Sequence, residues 1–197
     1  MSDSNYYKTR MTLLAKLKDQ HDDAAWTDFA YYYRKYIYNI ARRMNLGHDD
    51  AEEIVQIVLI QSWNKLPDFQ YDPGKGRFRG WLCQVTGNAA KNYLRDHINR
   101  FVELEPEAHF SELITQPEIE KIAEEEWREY VPQLAWKNIE KHFDTNVKQV
   151  YAMLREGKAV AEIAEKLGIK ESSVYVYRKR IQDKLRPEIK RLEFELG

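Results

Sequence analysis

The stretch Val160-Ala161-Glu162-Ile163-Ala164-Glu165-Lys166-Leu167-Gly168-Ile169-Lys170-Glu171-Ser172-Ser173-Val174 reads as a short helix, a glycine-bearing turn and the start of a second helix. Ala164 is small enough for a close helix crossing, Gly168 permits a left-handed turn, and Ser172 or Ser173 can cap the second helix. Val174, Tyr177 or Arg178, Ile181 and Leu185 then recur at helical spacing and give that helix a buried stripe. The face left over displays Tyr175, Val176, Lys179 and Arg180, with Ser172 at its start and Arg178 at its margin. Such a helix-turn-helix suits a recognition helix laid in a major groove. A merely solvated Lys/Arg-rich face is the plainer explanation, and the turn pattern together with the clustered charge favours DNA.

The neighbouring sequence supplies more helices. Trp127 to His142, interrupted or begun near Pro132, and Val147 to Arg155 precede the turn, and the recognition helix continues to about Leu192. The N-terminal half reads as four helices. One, roughly Ala24 to Met44, places Trp26, Phe29, Tyr33, Ile37, Ile40 and Ala41 on one side. The next opens at His48-Asp49-Asp50-Ala51-Glu52-Glu53, where either aspartate can cap and a glutamate can complete a capping box, and Ile54, Val55, Val58, Leu59 and Trp63 continue it. A third runs from Phe78 to about Ile98, with Phe78, Leu82, Val85, Ala89 and Tyr93 on one side. The fold class is therefore all-α, with small helical domains over residues 1–100 and 127–197. Pro106, Pro117 and a strong acidic bias mark residues 101–126 as an acidic linker between them.

Charge follows this division, although the net charge is only -1. Lys75 to Arg100 holds six basic residues against the single acid Asp96. Tyr151 to Arg191 holds eleven basic residues against six acidic ones. Between these blocks, Glu103 to Glu129 carries ten glutamates against Lys121 and Arg128. Two basic blocks flank an acidic one, a distribution suited to nucleic-acid binding that the net charge conceals.

Several classes are disfavoured. One cysteine, Cys83, allows neither a disulfide framework nor a cysteine zinc cage, and the reading is a cytoplasmic protein with Cys83 as a small core residue. No apolar run approaches the roughly 20 residues that span a bilayer, and Met1 to Arg10 lacks a signal-peptide apolar region, so neither export nor membrane insertion is expected. His48, Asp49, Asp50, Glu52 and Glu53 raise the alternative of a metal-dependent hydrolase, yet no second histidine motif converges on them and helix capping accounts for the acids. No catalytic residue, metal or cofactor is expected, and the protein reads as a non-enzyme.

A second functional segment is Tyr71-Asp72-Pro73-Gly74-Lys75-Gly76-Arg77-Phe78-Arg79-Gly80-Trp81-Leu82, a basic glycine-bearing loop leading into a helix that starts with aromatics. Aromatics beside cations hold single strands by stacking. Phe78 and Trp81 serve equally well as core residues, and without a Gly-Lys-Ser/Thr ending the loop is no nucleotide-binding P-loop.

Taken together, these motifs resemble the extracytoplasmic-function (group IV) sigma factors of the sigma-70 family, in the expected order and over most of both domains. Asp50-Ala51-Glu52-Glu53-Ile54-Val55-Gln56 resembles the polymerase-binding helix of region 2. Phe78-Arg79-Gly80-Trp81-Leu82, with Asn88 and Arg95, resembles the promoter-melting segment, and Val160 to Leu185 resembles region 4. The resemblance implies a sigma factor that binds bacterial RNA polymerase core at its β′ clamp and β flap and directs it to promoter DNA. It sets Asp50, Glu53 and Gln56 against the clamp. Asp68 to Arg77 would capture a flipped base of the -10 element, while Lys75, Arg77, Arg79, Trp81, Asn88, Lys91, Asn92 and Arg95 would hold the strand or the duplex edge. Ser172, Tyr175, Val176, Arg178, Lys179 and Arg180 would meet the -35 element. The acidic linker resembles the segment that threads the polymerase's RNA path.

The resemblance also implies an anti-sigma factor, strongly salt-dependent promoter affinity and weak promoter binding without polymerase. Two departures stand out: Tyr175 and Val176 occupy sites often held by more polar residues, and Ile57, Leu59 and Ile60 stand where an acid and Phe are common. No long C-terminal extension is seen, so a bare two-domain chain is expected. The rival reading is a helix-turn-helix regulator with a helical sensor domain, binding a symmetric operator as a dimer without polymerase.

Overall fold

The long apolar periods of the sequence become helices in the computed structural model, which describes residues 13–70, 78–102 and 115–196. In chain order these are α1 (Asp23–Arg43), α2 (His48–Lys65), α3 (Phe78–Val102), α4 (Gln116–Ile139), a 3-10 turn (Glu140–His142), α5 (Thr145–Arg155), α6 (Val160–Leu167) and α7 (Glu171–Leu196). Among the described residues there is no strand, and the fold is all-α. The chain divides into two compact units, Met1–Arg128 with Glu195–Gly197, and Glu129–Phe194.

The first unit is built around α1, whose Phe29, Tyr33, Ile37, Ile40 and Ala41 are buried as their spacing predicts. Asp22 caps α1 by accepting the Ala25 N–H at 3.0 Å. Ile54, Val55 and Val58 of α2 and Phe78, Leu82, Val85 and Ala89 of α3 close the core. Phe78 is its aromatic hub, 5.5 Å from Tyr33, 6.2 Å from Phe29 and 5.9 Å from Phe69 between ring centres, with Trp81 stacked at 5.3 Å. The buried hydroxyls of Ser62 and Thr86 donate to the carbonyls of Val58 and Leu82 one turn back, so both are satisfied within their own helices.

Several helix starts differ from the sequence reading. At α2 the cap position is Gly47, without a side-chain cap, and Asp49 and Asp50 lie in the first turn, where their charge favours the positive helix end. The helix read as starting at Trp127 starts instead at Gln116. Thr115 donates its N–H and its hydroxyl to Glu118, each at 2.7 Å, which is one half of a capping box. Pro117 then sits in the first turn, where a missing N–H costs nothing. These hydrogen bonds hold the Glu118 carboxyl below the usual range, so the cap is present at neutral pH and weakens as pH falls through that lowered value.

Residues 116–126, read as linker, are therefore helical, with Ile119 and Ala123 buried in the first unit. Gly87 of α3 makes room for Ile119: a Cβ there would lie 3.0 Å from its Cδ1. Helix α4 also continues through Pro132 rather than breaking at it.

The second unit packs Ile139, Phe143, Val147, Val150, Met153, Ile163, Ala164, Val174 and Ile181 into one core. Asp144 caps α5 through the Val147 N–H. Helix α6 ends at Gly168, whose φ of 63° is left-handed, while the Ile169 N–H returns to the Ala164 carbonyl at 3.0 Å. Gly168→Val is expected to destabilise this unit by about 1–2 kcal/mol, the cost of a left-handed residue with a Cβ, read as a lower urea midpoint. Helix α7 begins at Glu171, so Ser172 and Ser173 lie inside its first turn rather than at the cap. It runs on to Leu196, past the expected Leu192 and through Pro187.

Cys83 is buried, and burial pushes its thiol up to about 11. It is thus protonated at neutral pH, and iodoacetamide is expected to label it only as the protein unfolds, at denaturant concentrations that track the loss of helical circular dichroism.

Candidate nucleic-acid interface

Helix α7 separates packing from display. Val174 and Ile181 are buried, and Tyr177 and Leu185 are half-buried against the same core, so Tyr177 rather than Arg178 completes the inner stripe. Ser172, Tyr175, Val176, Arg178, Lys179 and Arg180 are all exposed. Positions 172, 175, 176 and 179 recur at three and four, which sets them on one face, with Arg180 beside them. Arg180 lies 4.0 Å from Asp144, but both side chains are more than half exposed, so this pair is weak and leaves the guanidinium available. The geometry offers a cationic helix face with two apolar side chains at its front.

A second exposed row lies on α3. Gln84, Asn88, Asn92 and Arg95 are exposed and Lys91 is half-buried, again at helical spacing. Arg95 donates to the Asn92 side chain at 2.9 Å. Lys75 and Arg77, and with them the loop expected from the sequence over 71–77, lie outside the described residues.

Arg79 does not join this row. Its guanidinium is buried, paired with Glu124 at 2.6 Å and set 5.3 Å from the Trp127 ring centre. The family resemblance placed Arg79 on the strand; the physical reason for the difference is the acidic N-terminal half of α4, whose Glu124 supplies a carboxylate to a buried cation. Glu124→Gln is expected to destabilise the first unit by more than Arg79→Met, since the former leaves a buried guanidinium uncompensated and the latter removes the charge altogether; paired urea titrations decide this. Glu125 and Glu126 are likewise engaged, both with Arg43. Trp81 is half-buried between Phe69 and Phe78 rather than standing free as a stacking platform.

On α2, Glu53 and Gln56 are exposed. Asp50 is half-buried and accepts the Tyr93 hydroxyl, and that hydrogen bond raises the phenol well above its ordinary range. Ile60, one turn beyond Gln56, is 60% exposed on the same side, and Trp63 is partly exposed against Trp26. Sequence reasoning noticed Ile60 only as an unusual residue. The spacing 53, 56, 60 would have placed it beside the two polar residues.

The acids once considered for a metal are dispersed: His48 pairs with Tyr38, Glu52 with Arg34, and Asp50 with Tyr93. Among the described residues no group of three or more His, Cys, Asp or Glu is placed to hold a metal ion. No described helix is long and apolar enough to cross a membrane.

The segment carrying α2 and the exposed row of α3 also matches a known family. Residues 30–99 match sigma-70 region 2. Residues 148–188, which include the helix-turn-helix, match the bacterial regulatory proteins of the luxR family. The chain thus carries a segment similar to sigma-70 region 2 followed by one similar to the luxR-family regulators, in that order. A solved structure, that of CnrH in complex with the cytosolic domain of CnrY, is similar over 91% of this chain and 95% of that one, at 20% identity and a TM-score of 0.38. No curated protein matches the chain. Within the region 2 match lie Asp50, Glu53 and Gln56, together with Asn88, Lys91, Asn92 and Arg95; Tyr175, Val176, Lys179 and Arg180 lie within the luxR-family match.

Proposed function

We propose that this chain is an alternative sigma factor of the extracytoplasmic-function type, which binds RNA polymerase core and brings it to promoters. The observation that carries this reading is the order of the two matched segments, region 2 over 30–99 and a helix-turn-helix over 148–188, each with an exposed polar face. Glu53, Gln56 and Ile60 form the surface for the β′ clamp, with Asp50 held by Tyr93 at its edge. Asn88, Lys91, Asn92 and Arg95 contact the melted -10 element, with Lys75 and Arg77 before α3 in the sequence. Ser172, Tyr175, Val176, Arg178, Lys179 and Arg180 contact the -35 element, and the helix-turn-helix domain meets the β flap. No covalent chemistry is involved; the work is positioning and trapping of DNA in the cytoplasm. An anti-sigma factor that covers these faces until a signal arrives belongs to the same reading.

The luxR-type match favours one other reading, a regulator that binds an operator by itself. Partner choice separates them. Gel filtration of the purified chain with core polymerase is expected to give coelution, and footprinting of the chain alone is expected to show no protected site. A clear footprint without polymerase, together with no coelution, supports the regulator instead.

A further inference from the structure

Tyr175 and Val176 stand outside the core of the second unit: they are 55% and 56% exposed, while Val174 beside them is fully buried in it. They occupy the second turn of α7, and Lys179 and Arg180 follow on the same side one turn later. A helix face serving only as an electrostatic anchor needs cations and gains nothing from an exposed valine. An apolar pair framed by Arg178, Lys179 and Arg180 fits a surface that is polyanionic at its edges and carries isolated apolar points within.

The major groove is such a surface. Its base edges are hydrogen-bond donors and acceptors except at thymine, whose C5-methyl is the apolar feature that distinguishes it there. Valine carries no hydrogen-bonding group, so the methyl is the one base feature it complements. Tyrosine adds an aromatic face beside it.

Resting on the reading of α7 as the promoter-recognition helix, we propose that Tyr175 and Val176 read thymine methyl groups in the upstream promoter element, while Lys179 and Arg180 hold phosphates or guanine edges alongside. Specificity at those positions is then for the methyl rather than for a hydrogen-bond pattern.

The test uses holoenzyme reconstituted from the full chain and core polymerase, on templates randomised across the upstream element. Templates selected by initiation are expected to carry thymine at one or two fixed positions. Replacing those thymines by deoxyuridine, which removes the methyl alone, is expected to lower initiation about fourfold per position, the scale of one buried methyl-sized group. With Val176→Ser, initiation on the thymine template falls and deoxyuridine causes little further loss. Equal initiation on thymine and deoxyuridine templates, or selection without a fixed thymine, overturns the proposal while leaving the sigma reading intact. If no template initiates, the sigma reading falls separately. The same deoxyuridine replacement in duplexes that the full chain retains from a random pool then decides the methyl contact.

Discussion

Changing Lys179 and Arg180 together to alanine is expected to lower specific initiation by on the order of a hundredfold or more, with the fold untouched. Both side chains are exposed on α7, and neither contributes to the core formed by Val174 and Ile181. Each good contact of a lysine or arginine in the major groove is worth about 1–3 kcal/mol. Two such losses on adjacent residues need not add, since the pair shares one patch of DNA. The Arg180–Asp144 approach contributes little, and Asp144 keeps its cap on α5 through the Val147 N–H. Run-off transcription measures the first effect, and a thermal melt close to that of the unchanged protein shows that the loss is one of recognition.

Replacing Phe78 by alanine is expected to cost about 3–5 kcal/mol, the range for deleting a buried aromatic. Phe78 is 2% exposed and its ring meets Phe29, Tyr33, Phe69 and Trp81. That is a large share of a domain's usual net stability of roughly 5–15 kcal/mol. The first unit should unfold at a much lower urea concentration, and core-polymerase binding should weaken with it. Trp81→Ala, at a half-buried site, should cost less. Equal effects of the two substitutions would mean that Phe78 is not the hub of this core.

The two substitutions also show which parts of the molecule were legible in the sequence. Phe78 and the α1 stripe follow a 3.6-residue period, and periodicity reports burial directly because side chains three and four apart share a face. The face of α7 was legible for the same reason, and burial of Tyr177 settled the one open choice in its inner stripe. Arg79 was not legible. Its environment is made by Glu124 and Trp127, far along the chain, and no local pattern announces that an acidic stretch will fold back as a helix to meet it. The start of that helix did leave a signal, Thr115 and Glu118 around Pro117, which was outweighed by reading proline as a breaker. At α2 the aspartates looked like caps, yet Gly47 took the position and left Asp50 to Tyr93.

Run-off transcription with purified core polymerase, with and without this protein, on genomic fragments that include the region upstream of its own gene, tests the central claim most directly. A sigma factor is expected to yield discrete transcripts that require the protein and vanish with the Lys179 and Arg180 double substitution. No initiation on any fragment, with operator protection by the protein alone, would contradict it.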